Sequence, residues 1–171
     1  MNRYISKKWL LAFLFPAILL SFTTKPYKSN YSGNWKLNEQ KSELGDFGAR
    51  IAPSKIKVEQ KDDAIIISKT GQNFNGEEQT NVETYTFDGK PLEIDVFGGM
   101  GKKKGNLKWS DDGQGFVMAY KLTFSNDGQT TEITGTETWS LSADGKVLTA
   151  ETKSSGGQGD FAMKAVYDKS E

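Results

Sequence analysis

A chain of 171 residues carrying 22 basic and 22 acidic side chains is long enough for one domain with a sizeable core, and its balanced charge argues against nucleic acid as a partner. It contains no histidine and no cysteine, which excludes disulfides, Ser-His-Asp and Cys-His nucleophiles, and the usual zinc and haem ligands. A metal site would have to be all oxygen, and neither a metal nor a cofactor is expected.

The N-terminus reads as an export signal. Arg3, Lys7 and Lys8 precede an apolar run from Trp9 to Leu20, and the small residues Ser21, Thr23 and Thr24 follow it. The run falls short of the ~20 residues that span a bilayer, and Pro16 interrupts it. The expected organisation is therefore a cleaved signal over 1–24, a linker over 25–30 and one domain over 31–171. No integral membrane segment is expected after cleavage, and the mature protein is placed in the periplasm or outside the cell. Losing the three signal bases leaves 19 basic against 22 acidic residues, a mildly acidic protein.

From Tyr31 onward the pattern is all-β. Nine or ten strands are predicted, at 32–37, 55–61, 64–70, 79–88, 91–97, 104–110, 115–125, 129–141, 146–154 and 160–168. A short helix is predicted over 39–45, with Asn38 as its N-cap and Gly45 as its stop. Ile65-Ile66-Ile67 breaks the alternation and predicts a bulge or a strand covered on both sides. Asp88-Gly89, Asp112-Gly113, Asp127-Gly128 and Asp144-Gly145 separate strand-like runs, and Asp-Gly is a strong hairpin signal because both residues tolerate tight-turn backbone. Between the turns the period is two. Phe116, Met118, Tyr120, Leu122 and Phe124 share a face, as do Ile133, Trp139 and Leu141, and Phe161, Met163, Ala165 and Tyr167. Short connections make an antiparallel up-and-down meander, which either closes into a barrel or folds into a β-sandwich; closure, which removes exposed edges, is the reading taken. Outer faces rich in Lys, Glu and Thr argue against a transmembrane barrel.

Gly33-x-Trp35 on the first strand, followed by a short helix or loop and a hairpin meander, resembles the lipocalin-like proteins in the broad calycin sense. More closely, "GNWKLNEQKS" at 33–42, "ETWSLSADGKVLTAET" at 137–152 and "VYDK" at 166–169 resemble exported lipocalin-like proteins of Gram-negative bacteria. The resemblance covers 31–169. It implies a barrel closed at one end by Gly33 and Trp35, with a small hydrophobic or amphipathic molecule as its partner. Lys164 lies where such proteins carry a basic residue across that tryptophan, although alternation puts it on the outer face.

The candidate ligand-binding residues are those that alternation turns inward: Glu83, Tyr85, Trp109, Phe116, Met118, Tyr120, Glu137, Trp139 and Met163. Bulky side chains of this kind line a cavity or fill it. Glu83 and Glu137 share faces with aromatic residues, so each is either a polar anchor inside the barrel or a rim residue in water. Three functional readings follow. The first is a non-catalytic binding barrel. The second is a packed module working through loops at 98–105 or 71–79, where Lys102, Lys103 and Lys104 could attract an anion. The third is a barrel enzyme using Glu137, Glu83 and Tyr120; no catalytic residue is assigned.

Overall fold

The structure, a computed structural model, describes residues 28–171 except 74, 97, 98, 127, 128 and 158. The expected export signal, the start of the linker and the Asp127-Gly128 turn lie outside the described residues.

Ten strands form one antiparallel sheet: β1 (Gly33–Leu37), β2 (Lys55–Gln60), β3 (Ala64–Gln72), β4 (Glu78–Thr86), β5 (Leu92–Val96), β6 (Gly101–Trp109), β7 (Gly115–Asn126), β8 (Gln129–Leu141), β9 (Val147–Gly156) and β10 (Phe161–Ser170). Sequence neighbours pair, except that β1 also pairs with β10, and β4 and β5 meet as the two edges without a ladder between them. The result is the meander barrel, closed but for one seam. A sandwich would leave β1 and β10 in different ladders. Here Trp35 lies opposite Lys169 on β10 and opposite Ile56 on β2.

Three described Asp-Gly turns share one device. Gly89, Gly113 and Gly145 have φ of +78°, +72° and +66°, a region that side chains disfavour. In each, the aspartate Oδ1 accepts the amide of the residue two further on, from Lys90, Gln114 and Lys146. At Gly113 and Gly145 this device closes the β6–β7 and β8–β9 hairpins, whereas at Gly89 it turns the chain between β4 and β5, which do not pair, so the hairpin expected at Asp88-Gly89 does not form.

Three expectations need correction. The isoleucine run contains no bulge: Ile65, Ile66 and Ile67 lie in unbroken register with Tyr85, Thr84 and Glu83, and Ile66 faces outward, half-buried. Gly45 does not end a helix over 39–45. Asn38 caps only a 3-10 turn at Glu39–Lys41, and helix α1 begins at Gly45 and runs to Ile51. The cause is long-range: the Ser42 hydroxyl accepts the Val166 amide, and Glu43 exchanges two backbone hydrogen bonds with Lys164, which straightens the chain along β10. Finally, β6 starts at Gly101 and takes in the lysines assigned to a mobile loop. Lys102 and Lys104 face out and pair with Asp95 and Glu93 on β5, at 2.9 and 3.7 Å.

Helix α1 lies over the end of the barrel where β10 begins. Gly48 is buried there, and a Cβ on it would sit 3.4 Å from Met163, so the helix rests directly on that side chain. Phe47 meets Phe161 edge-on at 5.4 Å. Among the described residues no helix is long and apolar enough to cross a membrane.

Candidate functional site

The interior divides into three layers. At the end away from α1 the barrel is plugged by rings: Tyr31 packs on Phe116 at 4.7 Å, Phe116 on Trp139 at 5.3 Å and on Trp109 at 5.2 Å, and Trp109 on Phe87 at 5.6 Å. Trp35 donates from Nε1 to the Tyr31 carbonyl at 3.0 Å, and the Tyr31 hydroxyl donates to the Gln114 carbonyl at 2.9 Å. Lys169 is the basic residue that crosses this tryptophan, with Nζ 5.3 Å from the Trp35 ring. Its stem explains Gly33, where a Cβ would come within 3.0 Å of Lys169 Cε. Lys164 is turned outward to Glu43 instead.

The middle layer is charged. Lys69 on β3 reaches across to Glu137 on β8, with Nζ 2.9 and 2.7 Å from the two carboxylate oxygens. Lys103 on β6 reaches Glu83 on β4 at 2.5 Å, spanning the seam. Tyr85 donates its hydroxyl to Glu83 at 2.8 Å, and Trp139 Nε1 donates to Glu137 at 2.6 Å. Buried charge of this kind is tolerable only with such partners. Burial alone would raise the Glu83 carboxyl, but the charges of Lys69 and Lys103, with hydrogen bonds from Lys103 and Tyr85, outweigh it and bring the pKa from 4.5 to about 2. Burial presses Lys69 down as well, yet Glu137 and Glu83 hold it above its ordinary value. Lys103 moves the other way, lowered by burial first and then by repulsion from Lys69. The Tyr85 phenol is raised by burial and by the Glu83 charge, so it stays a hydrogen-bond donor.

Because the Glu83 carboxyl is depressed in the folded state, its stabilisation is complete above pH 4.5 and is lost as pH falls toward about 2. Loss of about 3 kcal/mol across that window is expected by linkage. Urea unfolding at several pH values should show this loss in the wild type and not in Glu83→Gln; parallel curves would contradict it.

Above the charged layer, toward α1, the walls still face inward but water reaches them. Leu92, Ile94, Leu122, Ile133 and Phe161 are half-buried, whereas Trp35, Tyr31, Phe116 and Trp139 are 0–1 % exposed at the other end. Their inward direction follows from register: Ile94 and Leu122 flank Lys103, and Leu122 faces Ile133. Tyr120 leans over Gly135, where a Cβ would lie 2.6 Å from the phenol. Gly135→Ala is therefore expected to cost about 1–3 kcal/mol by overpacking, against within about 0.5 for the outward Thr136→Ala, both read by thermal unfolding.

All nine sequence candidates turn inward, but they serve different layers. Glu83, Tyr85, Glu137 and Trp139 meet in the charged layer, with Tyr120 beside it, its ring 5.2 Å from Lys103 Nζ. Trp109 and Phe116 belong to the ring plug. Met118 is 1 % exposed between Leu107 and Glu137, and Met163 is half-buried under α1. Glu83, at 5 % exposure, is not a rim residue. Sequence reasoning missed Lys69, Gly135 and Thr152, and put Lys103 on an outer loop rather than in the interior. Extending the period-two pattern of Leu107 and Trp109 back through Gly105 would have put Lys103 on the same face. The 98–105 segment offers no cluster of loop lysines, and the turn within 71–79 is held by Asn73, whose side chain accepts the amides of Asn75 and Glu77. Among the described residues no group of three or more acidic side chains is placed to hold a metal. Two open depressions are present, one of about 590 Å³ over β8–β10 and one of about 520 Å³ among β9, β10, Glu43 and Gly45, the second lined in part by Thr152 and Met163.

No family model matches the chain, and no curated protein matches it. Among solved structures it is similar to zebrafish ileal bile acid-binding protein complexed with cholic acid, at 20% sequence identity and a TM-score of 0.51. The match covers 83% of this chain and all of that one. At that identity the likeness establishes the fold, a calycin-type antiparallel barrel.

Proposed function

We propose that the protein is an exported calycin-type barrel that holds a small hydrophobic or amphipathic molecule in the half-open part of its interior and does not transform it. One observation carries the reading: apolar side chains that point inward, Leu92, Ile94, Leu122, Ile133 and Phe161, remain reachable by water. A wall of that composition gains free energy when an apolar ligand replaces the water, about 25 cal/mol per Å². The zebrafish protein of the same fold was complexed with cholic acid, an amphipathic molecule.

The apolar run behind Arg3, Lys7 and Lys8 supports export, as does the resemblance to exported lipocalin-like proteins of Gram-negative bacteria. Engagement of both Glu83 and Glu137 by lysine supports a binding role over a catalytic one, because neither acid is left to act as a base. The mildly acidic mature chain supports a small molecule over nucleic acid as partner.

Native mass spectrometry of the protein purified from its host's envelope, without delipidation, tests the reading. A discrete added mass that solvent extraction removes is expected. A bare mass before extraction, together with no uptake of neutral apolar probes, would overturn it.

A further inference from the structure

We propose that the barrel selects molecules whose polar end carries no net charge, and that the Thr152 hydroxyl is the group that meets it. The proposal rests on the binding reading above and narrows its ligand class.

The charged layer is already complete. Two ammonium groups, Lys69 and Lys103, face two carboxylates, Glu137 and Glu83, at 2.5–2.9 Å. The described inward side chains of this layer leave neither sign in excess. A ligand carboxylate could still accept a remaining N–H of Lys103 or Lys69, but it would bring a third negative charge into a layer whose two positive charges are already balanced by Glu83 and Glu137. That surplus charge would be held in the interior without a counter-ion, a costly state. An ammonium head meets the mirror problem, since it would add a third positive charge opposite two balanced carboxylates. A hydroxyl, ketone or amide brings no charge and needs only hydrogen-bond partners.

One such partner is present and unused. Among the described residues, two buried side-chain polar atoms have no hydrogen-bond partner, Thr152 Oγ1 and Trp109 Nε1. Trp109 belongs to the ring plug, on the far side of the charged layer. Thr152 is 7 % exposed and sits on β9 between Glu137 on β8 and Met163 on β10, both half-buried members of the same inward face. Its hydroxyl both donates and accepts, which matches an uncharged head and gives no advantage of charge to an anion. An orphaned buried hydroxyl is unfavourable, and a ligand oxygen beside it removes that penalty.

The test uses the mature protein and four twelve-carbon probes that compete with neutral N-phenyl-1-naphthylamine at pH 8: dodecane, dodecanol, dodecanoate and dodecylammonium. Dodecanol is expected to bind about tenfold or more tighter than either ion. Thr152→Val, close in shape, is expected to shrink the preference for dodecanol over dodecane by about tenfold. Glu137→Gln, which leaves one ammonium in excess, should raise dodecanoate affinity by a similar factor. Dodecanoate binding tightest in the wild type, or a dodecanol preference unchanged by Thr152→Val, would overturn this inference and leave the binding role standing. Failure of all four probes would overturn the binding role itself.

Discussion

Lys103→Met is expected to destabilise the barrel by about 3–5 kcal/mol, the cost of stranding one half of a buried ion pair. Glu83 would keep the Tyr85 hydrogen bond and the more distant charge of Lys69, but would lose its 2.5 Å partner across the seam. The double variant Lys103→Met with Glu83→Leu should recover most of the loss, because an apolar pair of similar volume needs no compensation. Urea unfolding of the two variants separates the effects. If both are destabilised equally, the loss does not come from the stranded Glu83 charge, and the account of the seam fails.

Trp139→Ala should cost a similar amount, about 3–5 kcal/mol, for a different reason. The ring is 0 % exposed, packs on Phe116 and Tyr31, and donates to Glu137 from Nε1. Trp139→Phe keeps most of the bulk and loses the donor, so it should cost about 1–2 kcal/mol. The pair of variants separates ring packing from the support given to the Lys69–Glu137 bridge. A loss of under about 1 kcal/mol in Trp139→Ala would mean that the plug repacks without it.

What the sequence made legible was local. Alternation located β7, β8 and β10, Asp-Gly pairs located the described turns of the β6–β7 and β8–β9 hairpins, and Gly33-x-Trp35 marked the closed end; Asp88-Gly89 instead turns the chain between the two unpaired edges β4 and β5. The missed features depend on contacts between distant parts of the chain. Glycines and three consecutive lysines before Asn106 look like a loop until Asp95 and Glu93 take the outer two and Glu83 takes the inner one. Lys69 is 68 residues from Glu137, and no local pattern links them. The helix shift has the same origin: Ser42 and Glu43 bind β10, more than 120 residues further on. Thr152 lies between Ala150 and Ser154 on an ordinary alternating strand and gives no sign that its hydroxyl lacks a partner.

Titration of the protein with N-phenyl-1-naphthylamine, in the wild type and in Leu122→Trp, tests the central claim most directly. Leu122 faces Ile133 above the charged layer, so a tryptophan there fills the half-open space while leaving the outer surface unchanged. Saturable one-to-one uptake by the wild type, abolished in Leu122→Trp, is the predicted result. Uptake that never saturates, or that persists unchanged in the filled variant, would place the probe outside the barrel and contradict the account.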